Sequence, residues 1–218
     1  MNTIVFDKKC QAVNHLAKSD PQISFLIDTI GPYNHERRKD YYRSLVYSIV
    51  GQQLSSTVAK VIKNRLLSLC GEIQPTNLIN CSDEALREVG ISRPKIAYIK
   101  NLSLQILDEK LNIESFDELP DSEVIAQLTK IKGIGSWTAE MFLIFSLGRL
   151  NVLSVKDVGL QRAMKWLYSL EKYPDEATMK KYGAIWDPYC TVASLYLWEV
   201  VNQNLISQPI NLGAAKKY

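Results

Sequence analysis

Apolar residues recur at helical spacing along almost the whole chain. One apolar side chain every third or fourth position lays a stripe along a helix, whereas a strand needs strict alternation. Residues Asp40–Val50 keep the helical spacing, and Ser56–Leu69 continue it, with Val58, Val61, Ile62 and Leu66 predicted on one side. Ser82 followed by Asp83 and Glu84 reads as a helix start with acids in its first turn, and Gly90 as the stop. Arg93–Pro94 opens a longer helix running through Ile96, Ile99, Leu102 and Ile106, since proline suits a first turn. Asp121 is expected to cap a helix carrying Val124, Ile125, Leu128 and Ile131. Further helices are predicted at about Ser136–Leu147, Val158–Leu170, Asp175–Trp186 and Pro188–Asn202. The β-branched runs Ile4–Val5 and Asn151–Val155 are too short to build a sheet. The expected fold is therefore all-α, with no low-complexity linker and no long-period repeat.

Bulk composition narrows this picture only a little. A chain of 218 residues can form one large domain or two small lobes. A net charge of +3 permits a polyanionic partner without demanding one, because nucleic-acid binding depends on clustered charge. Cys10, Cys70, Cys81 and Cys190 are too scattered for a C-x-x-C zinc or redox site or an iron–sulfur loop, and read as thiols of a reducing compartment. The opening MNTIVFDKKCQAVNHL breaks its apolar positions with charge, unlike a signal peptide. No run approaches the roughly 18 apolar residues of a membrane span. The expectation is an intracellular protein, cytoplasmic or nuclear, with no membrane partner.

The most informative segment is LTKIKGIGSWTAEMFLIF, Leu128 to Phe145. An amphipathic helix is expected to stop at Lys132, turn through Gly133-Ile134-Gly135, and give way to a second helix at Ser136. Two glycines one residue apart allow a tight turn and let backbone amides face a phosphate oxygen. Ile134 would plug the space between the helices, Lys130 and Lys132 add charge, and Ser136 or Thr138 can donate another hydrogen bond. Taken alone, a G-x-G turn is more often a plain helix corner. Ile131 before it, Trp-Thr-Ala after it, and Phe142 and Phe145 beyond favour a helix-hairpin-helix unit.

At this point the chain resembles a known family. KGIGSWTAEMFLIF followed by LNVLSVKDVGLQRAM is similar to the helix-hairpin-helix glycosylase superfamily, with its glycine-rich loop and trailing aspartate. SIVGQQLS (48–55), LREVGISRPKIAYIKNLS (86–103) and WDPYCTVASLYLWEV (186–200) resemble the alkylpurine branch, 3-methyladenine DNA glycosylase II. The resemblance spans about residues 22 to 203. It implies a single glycosylase domain over residues 1–218: a two-lobed helical bundle with lobes discontinuous in sequence and an active-site cleft between them. The hairpin would lie at about 121–147 and the catalytic loop at about 151–159. Larger members carry an N-terminal β-rich domain, for which this chain is too short.

Asp157, in Val155-Lys156-Asp157-Val158-Gly159, stands where a helix N-cap is expected, and by resemblance it is the catalytic carboxylate. The two roles are compatible. Breaking a purine–deoxyribose bond develops positive charge on the sugar, which an ionised carboxylate stabilises while orienting water. An alkylated purine is already cationic and leaves neutral, so no protein acid is needed. His15 and His35 lie outside every motif. Strand-cleaving relatives resemble G-x-G-x-K, whose lysine forms a Schiff base with the sugar; here Trp137 stands in that place, and Lys156 is the nearest spare amine.

A base must be flipped out of the duplex to be reached, and a pocket for a cationic base favours electron-rich rings. The resemblance assigns Trp137 and Trp198 to that pocket, although Trp198 alone reads equally as core. Met141 falls where some relatives carry a tyrosine, and Tyr189 and Tyr196 are secondary aromatic candidates. Gln52 is implied as a base contact, with Gln53 or Leu54 as the wedge that fills the vacated stack; a polar corner is the alternative. Arg93, Lys95 and Lys100 would either track the DNA backbone or form a solvated helix face. By resemblance, carbonyls around Thr129, Ile131 and Ile134 would hold a sodium or potassium ion; no catalytic metal or organic cofactor is expected. The implied partner is double-stranded DNA with a damaged base, bound by a monomer. Other readings are a glycosylase for deaminated or oxidised purines and a non-catalytic DNA-binding module. The tail Leu212–Tyr218 carries no assignment.

Overall fold

The computed structural model describes residues 3–208, so the tail Leu212–Tyr218 lies outside the described residues. In chain order, β1 (Thr3–Phe6), α1 (Gln11–Ser19), α2 (Pro21–Ile30) and β2 (Tyr33–Glu36) come first. Then follow α3 (Tyr41–Gly51), α4 (Ser56–Cys70), α5 (Pro75–Asn80), α6 (Asp83–Glu88) and α7 (Arg93–Leu107). A 3-10 segment, Ile113–Glu118, leads to α8 (Asp121–Thr129) and α9 (Ser136–Phe142), whose last turn relaxes into a π-helical stretch, Leu143–Leu147. The order closes with α10 (Val158–Leu167), α11 (Glu176–Trp186), α12 (Cys190–Asn202) and a 3-10 turn at Leu205–Ser207. The protein is helical, as expected. Two compact units divide it: one from the residues up to Arg37 together with those from Gly148 on, the other Arg38–Leu147.

The first unit is built round α12, whose residues Cys190 to Leu197 are all buried, together with Val200. A helix apolar on every side must be enclosed, and α1, α2, α10 and α11 pack against it. Asp20 joins α1 to α2 in one residue: its amide closes α1 on Leu16, and its carboxylate caps α2 at Gln22 and Ile23. The β-branched run at Ile4–Val5 departs from expectation, since β1 pairs antiparallel with β2, Thr3 opposite Glu36 and Phe6 opposite Tyr33. Four residues suffice because the ribbon rests on the helical core. Phe6 and His35 are buried, and the Tyr196 hydroxyl, on α12, is 3.1 Å from the Phe6 carbonyl and 3.2 Å from that of Gly31. Asn151–Val155 is a loop, held where Thr191 accepts the Val152 amide and donates to the Arg149 carbonyl.

The second unit packs α3 against α4, α7 and α9. Its buried polar groups pair internally: Tyr42 with Ser103 at 2.6 Å and Ser44 with Ser146 at 2.7 Å. Burial pushes the Tyr42 phenol well above its ordinary range. In α4 the buried stripe is Ala59, Ile62 and Leu66, while Val58 and Val61 face outward, against the sequence expectation. The helix is rotated so that Ala59, one position on from Val58, completes the line with Ile62 and Leu66. Cys70 and Cys81 are free thiols 3.4 Å apart, and burial, then the contact with Cys81, pushes Cys70 up to about 12.

Several boundaries also differ. Pro120 occupies the cap position of α8 and Asp121 is its first residue; the helix ends at Thr129, leaving Ile131 in the turn. α10 stops at Leu167, with Ser169 in a left-handed conformation soon after, and α12 begins at Cys190. The helices α1, α2 and α5 were not assigned from the pattern. Among the described residues, no helix is long and apolar enough to cross a membrane.

Candidate active site

In the first unit, Asp157 occupies the N-cap of α10 in extended backbone, and its Oδ1 accepts the Leu160 amide at 2.8 Å. The preceding loop is wound into place by the Asp157 amide on the Ser154 carbonyl and by the Gln161 side chain on the Val155 carbonyl. The same Oδ1 accepts the indole Nε1–H of Trp198, from α12, at 3.0 Å. Asp157 is 8% exposed and Trp198 half-buried, while Val158 beside it is 64% exposed, so the carboxylate sits just beneath the surface. Such a site can present a fixed negative charge, already hydrogen-bonded, to a cation or to water. Lys156 is exposed. Tyr196 is fully buried, and Tyr189 packs edge-on against His15.

In the second unit the hairpin and the Gln-Gln turn meet. After α8, Ile131 and Ile134 wind a tight turn, the amide of each bonding the carbonyl three residues earlier, and both side chains are buried. Gly133 has φ 92°, and a Cβ there would lie 2.2 Å from the Tyr98 ring, so both conformation and packing require glycine. Gly135 caps α9 with no side-chain hydrogen bond. Lys132, Gly135 and Ser136 are exposed, whereas Thr138 is buried. Trp137 is 46% exposed in the first turn of α9, and Met141, one turn on, is buried.

Gln52 donates its side-chain amide to the Gly133 carbonyl at 2.8 Å, tying its turn to the hairpin. Gln53 takes a left-handed backbone, φ 57°, which costs a non-glycine residue about 1 kcal/mol and must be imposed by its surroundings. Lys95 supplies part of that constraint, reaching from α7 to the carbonyls of Val50 at 2.9 Å and Gln52 at 2.7 Å. Burial lowers its pKa, and the carbonyl end of α3 receives its charge. Leu54 is left exposed beside Gln53. Lys95 thus directs its ammonium to main-chain carbonyls, and Lys100 is paired with Asp83.

The hairpin carbonyls named for a monovalent cation are those of Thr129, Ile131 and Ile134. That of Ile131 already accepts the Ile134 amide and keeps a second lone pair. Among the described residues no group of three His, Cys, Asp or Glu side chains could hold a metal ion. Sequence reasoning missed Gly159 and Tyr98, and did not foresee that Lys95 holds the carbonyls of Val50 and Gln52. Gly159 carried a signal of its own, a glycine inside the first turn of a helix.

With this geometry in view, comparisons with known proteins become specific. The pattern of the HhH-GPD superfamily of base excision DNA repair proteins matches residues 46–188. DNA-3-methyladenine glycosylase 1 of Schizosaccharomyces pombe is 32% identical over 203 residues, covering 90% of this chain and 89% of that protein. A DNA-3-methyladenine glycosidase from Bacillus halodurans superposes with a TM-score of 0.85 at 39% identity, over 96% of this chain and 97% of that one. A 3-methyladenine DNA glycosylase of Schizosaccharomyces pombe, in complex with abasic DNA, superposes with a TM-score of 0.82 at 32% identity, over 88% and 97% of the two chains.

Proposed function

This chain belongs to the HhH-GPD superfamily of base excision DNA repair proteins, and from that premise we propose that it hydrolyses the glycosidic bond of alkylated purines in duplex DNA. The observation that carries the reading is the Asp157 carboxylate, held by Leu160 and Trp198 at the head of α10.

The reaction follows from charge. As the bond from sugar C1′ to the base nitrogen breaks, its electron pair leaves with the base, and a cationic 3-methyladenine or 7-methylguanine departs neutral. Positive charge grows on the sugar, where the Asp157 carboxylate stabilises it. Water adds to C1′ and gives a proton to that carboxylate, which returns it to solvent. Trp137 occupies the place where strand-cleaving relatives carry a lysine, so the product is an abasic site in an intact strand.

The other residues divide between base and strand. By the resemblance, Trp137, Gln52 and Met141 of the second unit and Trp198 of the first are the residues assigned to the flipped base, for which electron-rich rings are suited. Gly133, Gly135 and Ser136 present main-chain and hydroxyl donors to a phosphate, Lys132 adds charge, and buried Thr138 supports the helix behind them. Gln53 or Leu54, in the turn whose left-handed residue is Gln53, is the wedge. Thr129, Ile131 and Ile134 would hold a sodium or potassium ion by their carbonyls, adding positive charge beside the phosphate. The enzyme acts as a monomer on DNA.

The test is an excision panel across alkylated, deaminated and oxidised bases, with alkali-free strand scission and borohydride trapping scored separately. The reading expects release of free alkylpurine without scission or trapped adduct. Release of only oxidised or deaminated bases, or a trapped adduct through Lys156, would replace it.

A further inference from the structure

We propose that Trp198 acts on the reaction through Asp157, as a positioning residue, and that Gly159 keeps the shared oxygen, Asp157 Oδ1, uncrowded. This rests on the reading of Asp157 as the reacting carboxylate.

The terminal torsion of an aspartate is soft, so a single amide at an N-cap leaves the carboxylate free to rotate. Here two donors converge on one oxygen from different helices. The Leu160 amide arrives from within α10 at 2.8 Å, and the Trp198 indole from α12 at 3.0 Å. Both bonds restrain Oδ1, and with it the rotation of the carboxylate. An indole is a donor only, with no acceptor to compete for a water or a cation. Its ring is rigid, so little freedom is lost in holding that N–H in place.

Gly159 bears on the oxygen that both donors share. A Cβ at this position would lie 3.0 Å from Asp157 Oδ1, 3.4 Å from Trp198 Cδ1 and 3.6 Å from Trp198 Nε1. The absent methyl group thus spares Oδ1, the atom that accepts both hydrogen bonds, a tight contact, while the indole would be met only at ordinary van der Waals distance. Glycine is a poor choice in a helical turn, and helix formation gives no reason for it here. Room at the shared oxygen does.

Two variants separate this role from packing. Trp198→Phe keeps an aromatic ring and removes the N–H; Gly159→Ala keeps both partners and crowds Oδ1. Each is measured by single-turnover excision from methylated DNA and by affinity for an abasic-site duplex, alone and combined with Asp157→Asn. Either variant alone should lower the rate about tenfold, the scale of one charge-assisted hydrogen bond, with less than about a twofold change in affinity. In the Asp157→Asn background each should add less than about twofold, because the carboxylate they orient is gone. Equal losses in both backgrounds, or a loss residing in affinity, would overturn the proposal.

An independent readout needs no activity. The four tryptophans give four indole N–H resonances, and Trp198→Phe identifies one by its disappearance. That resonance should move in Gly159→Ala and in Asp157→Asn; an unmoved signal would contradict the bond. If wild type excises no alkylated base yet the resonance responds, the function fails and the contact stands. If excision is normal and the resonance is silent, the reverse holds.

Discussion

Two aspartates in the first unit cap helices and receive an indole N–H, and their difference shows what a local motif cannot say. Asp20 caps α2 through Gln22 at 2.9 Å and Ile23 at 3.2 Å on Oδ1, while Oδ2 takes the Tyr168 hydroxyl at 2.5 Å and the Trp186 indole at 2.9 Å. Trp186 is fully buried and packs beside Tyr182 and Tyr168. Burial, then the bond to Asp20, pushes the Tyr168 phenol far above its ordinary range. Asp157 caps α10 with the same kind of bond, yet its indole partner is half-buried and its neighbour Val158 reaches solvent. Sealed under aromatic rings, a capped aspartate holds the fold. Beside the surface, the same arrangement can serve a substrate.

The comparison can be broken from either side. Asp20→Ala should give the largest effect on stability, about 3 kcal/mol, because it leaves the buried Trp186 indole and Ile23 amide, and the part-buried Tyr168 hydroxyl and Gln22 amide, without an acceptor. Urea unfolding should show that loss, while excision per folded molecule stays at the wild-type level. A matching fall in excision would mean that the scaffold and reaction aspartates are not separable.

The second unit extends the contrast to contacts that are proposed to serve the strand. Gly133→Ala places a methyl group in the Tyr98 ring at φ 92° and should cost about 2 kcal/mol, read as a roughly 30-fold weaker grip on abasic duplex. Gln52→Ala removes only its amide bond to the Gly133 carbonyl and should cost about 1 kcal/mol, or some fivefold in affinity. Both should leave the rate at saturating enzyme closer to wild type than Asp157→Asn does. A rate loss without an affinity loss at either position would assign it to the base instead.

Much of this arrangement was legible in the chain, and what was not has a common cause. Helix starts at Ser82, Arg93 and Ser136 announced themselves through caps, proline or a glycine turn, and Asp157 stood where an N-cap belongs. These signals are local, each carried by a few adjacent residues. The face of α4 was misjudged because its valines satisfy the helical period as well as Ala59 does, and only packing chooses between them. The β1–β2 ribbon was missed because a four-residue strand has no identity until Tyr196 and the core support it. The partner of Asp157 lies 41 positions away on α12, and Tyr98 closes on Gly133 from α7. Residues that act through such distant contacts leave no local mark, except where a glycine appears without a turn to explain it.

The most direct test sets the two aspartates side by side: single-turnover release of 3-methyladenine from methylated duplex by Asp157→Asn and Asp20→Asn, each normalised to its folded fraction. The account expects Asp157→Asn to fall by about 10²-fold or more while Asp20→Asn keeps the wild-type rate. Near-normal release by Asp157→Asn would contradict it.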